Sequence, residues 1–157
     1  MALRDESFET LNRFFVRTFN RILAWEERGI RAAGVKGLSV KELHVIEAAD
    51  ELNRQRLNTM SQIAAKMGIS VGALTTAVNV LVKKGYLTRG GDAQDRRIVY
   101  IYPTESGEAA LAVHEEFHRM MIGRIMDALD DASLAALTAS VEELDGFFEN
   151  LMKEQQE

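Results

Sequence analysis

Residues 57–104, LNTMSQIAAKMGISVGALTTAVNVLVKKGYLTRGGDAQDRRIVYIYPT, change their apolar period once, and that change decides the fold. Thr59 and Gln62 have the spacing of a capping box, and Gly68 suits the left-handed residue that ends a helix, so a short helix is predicted between them. Ser70 then caps a second helix, about Val71 to Lys84, which Gly85 closes. Two helices joined by a few residues containing glycine are a helix-turn-helix. After Gly85 the period falls to two. Tyr86–Arg89 and Ile98–Tyr102 read as strands around a polar loop, Gly90–Arg97. At eight residues that loop exceeds the usual hairpin length, which suggests a use for it. Pro103 and Thr104 end the ribbon.

Outside this stretch the chain is helical, with one proline and long runs of apolar residues three and four apart. Leu11, Phe14, Phe15, Phe19, Ile22 and Leu23 stripe a first helix from about Glu6 to Ala32, interrupted by Gly34 and Gly37. Ser39 and Glu42 form a capping box for the next helix. Thr104 or Ser106 caps a long fifth helix to about Leu129, and a last helix starts near Ala132. Its Leu134, Leu137, Val141, Leu144, Phe148 and Leu151 follow a 3-4-3-4-3 spacing, a seam that wants a partner helix. The predicted fold is mainly α with a small β-ribbon: an N-terminal dimerisation helix (1–36), a winged helix-turn-helix domain (37–104) and C-terminal dimerisation helices (105–157).

The 157 residues carry a net charge of −5, which argues against a nucleic-acid partner until the charges are placed. Residues 1–60 hold 10 Lys/Arg and 9 Asp/Glu, residues 61–107 hold 6 and 3, and residues 108–157 hold 3 and 12. The middle is basic and the tail acidic. There is no cysteine, which removes disulfides, thiolate metal sites and thiol sensing. No run of 18 apolar residues occurs and the charged start is not a signal peptide, so a soluble, cytoplasmic protein without membrane contact is expected. An enzyme is not expected: no cysteine nucleophile or Gly-rich phosphate loop is present, and Ser61 and Ser70 serve as helix residues.

A recognition helix reads base edges from its N-terminal half, where small and hydroxylated residues allow close approach. Ser70, Val71, Gly72 and Ala73 supply that start, and Thr75, Thr76 and Asn79 can donate or accept at bases or phosphates. Leu74, Val78 and Leu81 form the opposite, buried face. Arg96 and Arg97 at the ribbon tip suit the negative potential of a narrow minor groove, with Asp95 placed to orient Arg97. Lys83, Lys84 and Arg89 are expected to contact phosphates. Double-stranded DNA is the predicted partner.

Asp95-Arg96-Arg97 with Thr104 and Gly107 resembles the Asp-x-Arg…Leu-Thr-x-x-Gly signature of the MarR family of bacterial transcriptional regulators, with Pro103 where that family usually has leucine. Leu57–Gly85 resembles its helix-turn-helix. The resemblance implies a homodimer with interlocked terminal helices, two wings on a palindromic operator, and recognition helices roughly 34 Å apart. Glu26-Glu27, Ser39–His44 and His114–His118 resemble the fatty-acid-synthesis repressor branch. That resemblance implies repression of fatty-acid genes, with acyl chains on acyl carrier protein as corepressor. The apolar first helix and Met120, Met121 and Met126 would line an acyl tunnel, or simply pack as core. Arg13, Arg17 and Arg21, four apart, would face an acidic carrier or simply water.

A second effector is also implied. His114 and His118 lie one helical turn apart, a spacing that can hold one metal ion. With His44 and Glu26 they would make a tetrahedral zinc site, and the four positions resemble the primary site of zinc-responsive members of the family. Zinc is the cofactor such a set would take.

Overall fold

Capping chemistry sets the boundaries of the central helices. Ser39 accepts the Glu42 amide while the Glu42 carboxylate accepts the Ser39 amide, a complete capping box that starts α3, Val40–Arg54. Thr59 accepts the Gln62 amide to start α4, Met60–Met67, and Gly68 ends it at φ 64°, where a glycine costs least. Ser70 accepts the Ala73 amide to start α5, Val71–Lys83. Gly85, at φ 81°, turns the chain into strand β1, Leu87–Gly91, which pairs antiparallel with β2, Val99–Pro103. The computed structural model describes residues 2–35, 37–91 and 98–154.

The flanking helices are α1, Ala2–Arg13; α2, Phe19–Ala32; α6, Glu105–Asp127; and α7, Asp131–Glu154. The first helix was expected as one regular α-helix, but Phe14–Thr18 forms a π-helical turn, with the Phe19 amide donating to the Phe14 carbonyl. Arg13, Arg17 and Arg21 are all exposed, with Arg17 inside that turn. Both strands are shifted relative to the period-two pattern: each starts one residue later, and β1 ends two residues and β2 one residue further on. β1 includes Gly90 and Gly91, and β2 includes Pro103, opposite Leu87 at the end of the ladder where a missing amide is tolerated.

Residues 1–117 form one compact unit and residues 118–157 a second. The core of the first unit joins α3, α4 and α5: Leu43, Ile46, Ile63, Leu74, Val78 and Leu81 have no exposed surface. Burial of each such side chain contributes roughly 1.5–3 kcal/mol. The ribbon is attached on two sides. Ile101 is buried beneath it, its amide donates to the Asn58 carbonyl at 2.9 Å, and its carbonyl accepts the Asn58 Nδ2 at 2.7 Å. Asn58 is itself buried, so β2 is tied both to β1 and to the residues that lead into α4. Among the described residues no single helix is long and apolar enough to cross a membrane.

The junction from ribbon to α6 is tight. Thr104 Oγ1 donates to the Gly85 carbonyl at 2.6 Å and accepts the Gly107 amide at 3.2 Å, and the Thr104 amide donates to the Tyr86 carbonyl at 3.0 Å. Thr104, rather than Ser106, is therefore the cap. A Cβ added to Gly107 would collide with the Tyr86 carbonyl oxygen, a backbone atom that cannot rotate away. Gly107→Ala should accordingly lower stability by roughly 1–3 kcal/mol, read as a shift of the urea midpoint. A midpoint equal to that of the unsubstituted protein would refute this close approach.

Candidate nucleic-acid interface

The chain bends by 108° between α4 and α5, within the range of helix-turn-helix pairs. Leu74, Val78 and Leu81 hold α5 by its inner face. Ser70, Gly72, Ala73, Thr75, Thr76 and Asn79 are exposed on the outer one, and Val71 is 45% exposed. The structure thus brings the expected recognition residues onto one face. Thr75 Oγ1 donates to the Val71 carbonyl at 2.7 Å and Thr76 Oγ1 to the Gly72 carbonyl at 3.2 Å. With their protons turned inward, the two hydroxyls keep lone pairs with which to accept. A lone pair complements an amino donor rather than a phosphate oxygen.

The basic residues divide. Lys83 is exposed at the end of α5. Arg89, in β1, donates through Nη2 to Asn79 Oδ1 at 2.6 Å, joining the ribbon to the recognition helix. Lys84, expected as a phosphate contact, instead turns away from that role. Its ammonium donates to both Glu42 carboxylate oxygens, at 2.7 and 2.9 Å, and to the Gly37 carbonyl. Three N–H donors are matched by three acceptors, so Lys84 fastens α5 to the start of α3. Asp95, Arg96 and Arg97 lie outside the described residues.

Glu42 is the centre of that fastening. Burial pushes its carboxyl up, but hydrogen bonds from Lys84 and the Ser39 amide outweigh burial and leave it below the ordinary value of 4.5. The residue was legible as a cap, whereas its bond to a lysine 42 positions away was not. Asn58 was missed altogether, because nothing local distinguishes a buried asparagine that bridges two segments from one in an ordinary turn.

A second cluster lies in the interior of the first unit. His114 is 1% and Glu26 3% exposed, and His114 Nε2 sits 2.5 Å from Glu26 Oε1. His44 Nε2 lies 3.8 Å from the same oxygen, and Glu47 Oε1 lies 3.7 Å from His114 Nδ1. One ligand atom each from Glu26, His44 and His114 lies within 4.8 Å of the others. A carboxylate and two imidazoles are donors that zinc accepts. The donor set therefore fits the ion by chemistry, although its present hydrogen bonding is already satisfied. Glu47, three residues from His44 on α3, was visible by spacing but was not singled out. His118 follows His114 by one turn of α6 and opens the second unit. Residues 114–118 read His-Glu-Glu-Phe-His, which has the spacing of a zinc-hydrolase helix. His114 faces the interior carboxylates, where a substrate has no access.

Comparison with known proteins agrees with this geometry. The MarR family profile matches residues 34–98. The HTH-type transcriptional regulator YpoP of Bacillus subtilis is 30% identical over 110 residues, covering 70% of this chain and 76% of that protein. YkoM of the same organism is 29% identical over 132 residues, 82% of each chain. The crystal structure of Streptococcus pneumoniae FabT in complex with DNA superposes with a TM-score of 0.84 at 29% identity, covering 92% of this chain and 99% of that one. The Staphylococcus aureus MepR–DNA complex, at 16% identity and a TM-score of 0.66, shares the fold.

The Glu42 anchor has a pH signature. A carboxyl held below 4.5 in the folded state adds stability above that value, and the contribution is lost as pH falls through the lowered folded value. Glu42→Gln should be less stable than the unsubstituted protein at neutral pH, and the gap in urea midpoint should close on acidification through this range. A gap independent of pH would refute the assignment.

Proposed function

The chain belongs to the MarR family of DNA-binding transcription regulators, and on that premise we propose that it is a homodimeric repressor of fatty-acid synthesis genes. Its operator is palindromic, and acyl chains on acyl carrier protein are its corepressor. The observation that carries this reading is the similarity to FabT along nearly the whole of both chains. It acts by binding, not by catalysis.

Two apolar surfaces support the dimer. Phe8, Leu11, Phe14, Phe15, Val16 and Phe19 are 42–66% exposed along α1, the π turn and the start of α2. In the second unit, Leu137, Val141, Leu144, Phe147, Phe148 and Leu151 are 37–57% exposed along α7. Apolar faces of this extent on a water-soluble chain mark contact surfaces. A twin chain would cover them, and the apolar side chains of either face offer an acyl chain a bed.

The buried trio favours a second reading, zinc-responsive repression. Glu26, His44 and His114 supply three donors. Zinc bound there would join α2, α3 and α6 and so couple metal occupancy to the position of the DNA-binding elements.

DNA affinity should fall with salt at a slope of about −0.9 per neutralised phosphate. Arg97→Ala should weaken binding to a duplex selected from a random pool by roughly 1–3 kcal/mol while leaving the dimer intact. Unchanged affinity would remove the wing tip from the interface. Mobility shifts with acyl-loaded carrier protein, with zinc and with chelator separate the effectors. Tightening only by acyl-loaded carrier supports the first reading; a response to zinc that Glu26→Gln abolishes supports the second.

A further inference from the structure

The recognition helix and the ribbon meet at an exposed side-chain pair, Asn79 on α5 and Arg89 on β1, bonded at 2.6 Å. An amide side chain has its acceptor oxygen and its NH2 donors at opposite corners. With the oxygen turned to the guanidinium, one of its two lone pairs is taken and its direction is set by Arg89. Bidentate reading of adenine needs the oxygen and the NH2 together in a free orientation, so this pairing competes with that route. The guanidinium, in contrast, spends one of its five N–H groups on Asn79 and keeps the others in a held fork. A held fork suits a phosphate better than a freely rotating side chain does.

The surroundings agree. Lys83 stands four residues beyond Asn79 on α5, one helical turn away and exposed. Lys84, its neighbour, is committed to Glu42 and Gly37. Among the described residues, Lys83 and Arg89 are thus left to carry positive charge at this edge. A hydrogen bond between two exposed side chains adds little to folding, so the pair is poorly explained as a stability device.

We propose that Asn79 is a positioning residue that holds the Arg89 guanidinium beside the recognition helix for a phosphate contact, and does not itself read a base. The proposal rests on the DNA-binding reading above and concerns how that surface divides its labour.

The test uses the full-length protein and a duplex selected from a randomised pool by the unsubstituted chain. Affinity is measured across salt concentrations, and against single base-pair changes, for Asn79→Ala, Arg89→Ala and the double variant, with melting temperature as a control. Each single variant should lose roughly tenfold in affinity, the share of one charge-assisted hydrogen bond. Each should also lower the magnitude of the salt slope by about 0.9. The double variant should be no weaker than the singles, every variant should rank the base-pair changes alike, and melting should not move. An Asn79→Ala variant that keeps the full salt slope but loses discrimination at one base pair would overturn the proposal, as would additive losses in the double variant. Failure of the unsubstituted protein to bind any duplex at low salt would instead remove the regulator reading itself.

Discussion

The Tyr86 carbonyl, the Thr104 side chain and the bare α-carbon of Gly107 form the contact on which the DNA-binding architecture depends. It brings the start of α6 against the turn that follows α5, so the ribbon leaves and returns to one place. Thr104 serves three bonds there: its hydroxyl donates to Gly85, its oxygen caps α6 at Gly107, and its amide reaches Tyr86. A larger residue at 107 would push α6 off this turn and loosen the ribbon with it. The threonine and glycine that resemble a family signature in the sequence therefore have a physical role, which is to let one backbone segment approach another.

Much of the fold was legible because its instructions are local. Ser39 with Glu42, Thr59 with Gln62, and Ser70 each act within four residues, and Gly68 and Gly85 sit where the backbone enters positive φ. The buried face of α5 followed from spacing alone, since Leu74, Val78 and Leu81 share one side of any helix. What escaped was non-local. The π turn at Phe14–Thr18 arises in a run with no glycine or proline to announce it. Asn58 and Ile101 meet across 43 residues, and Lys84 meets Glu42 across 42. No periodicity encodes such distances.

Lys84 shows how this affects the reading of the interface. By composition it is one cation among several in a basic stretch, equal to Lys83 beside it. In the folded chain the two lysines have separate tasks: one faces outward, and the other joins α5 to the N-terminus of α3. Counting charge along a segment locates a basic region but overstates the number of cations free to meet an anion. The recognition threonines carry the same lesson for polarity, because their hydroxyl protons are already committed to the helix backbone.

The double attachment of β2 has a mechanical consequence. Because Asn58 ties β2 to the segment entering α4, a movement of β2 must either break these bonds or carry the start of α4 with it. In the proposed dimer, an effector then has no need to reshape either reading head. It has only to alter the spacing between the two heads, and groove and backbone contacts would be gained or lost together. Such a device responds as a switch rather than as a dial.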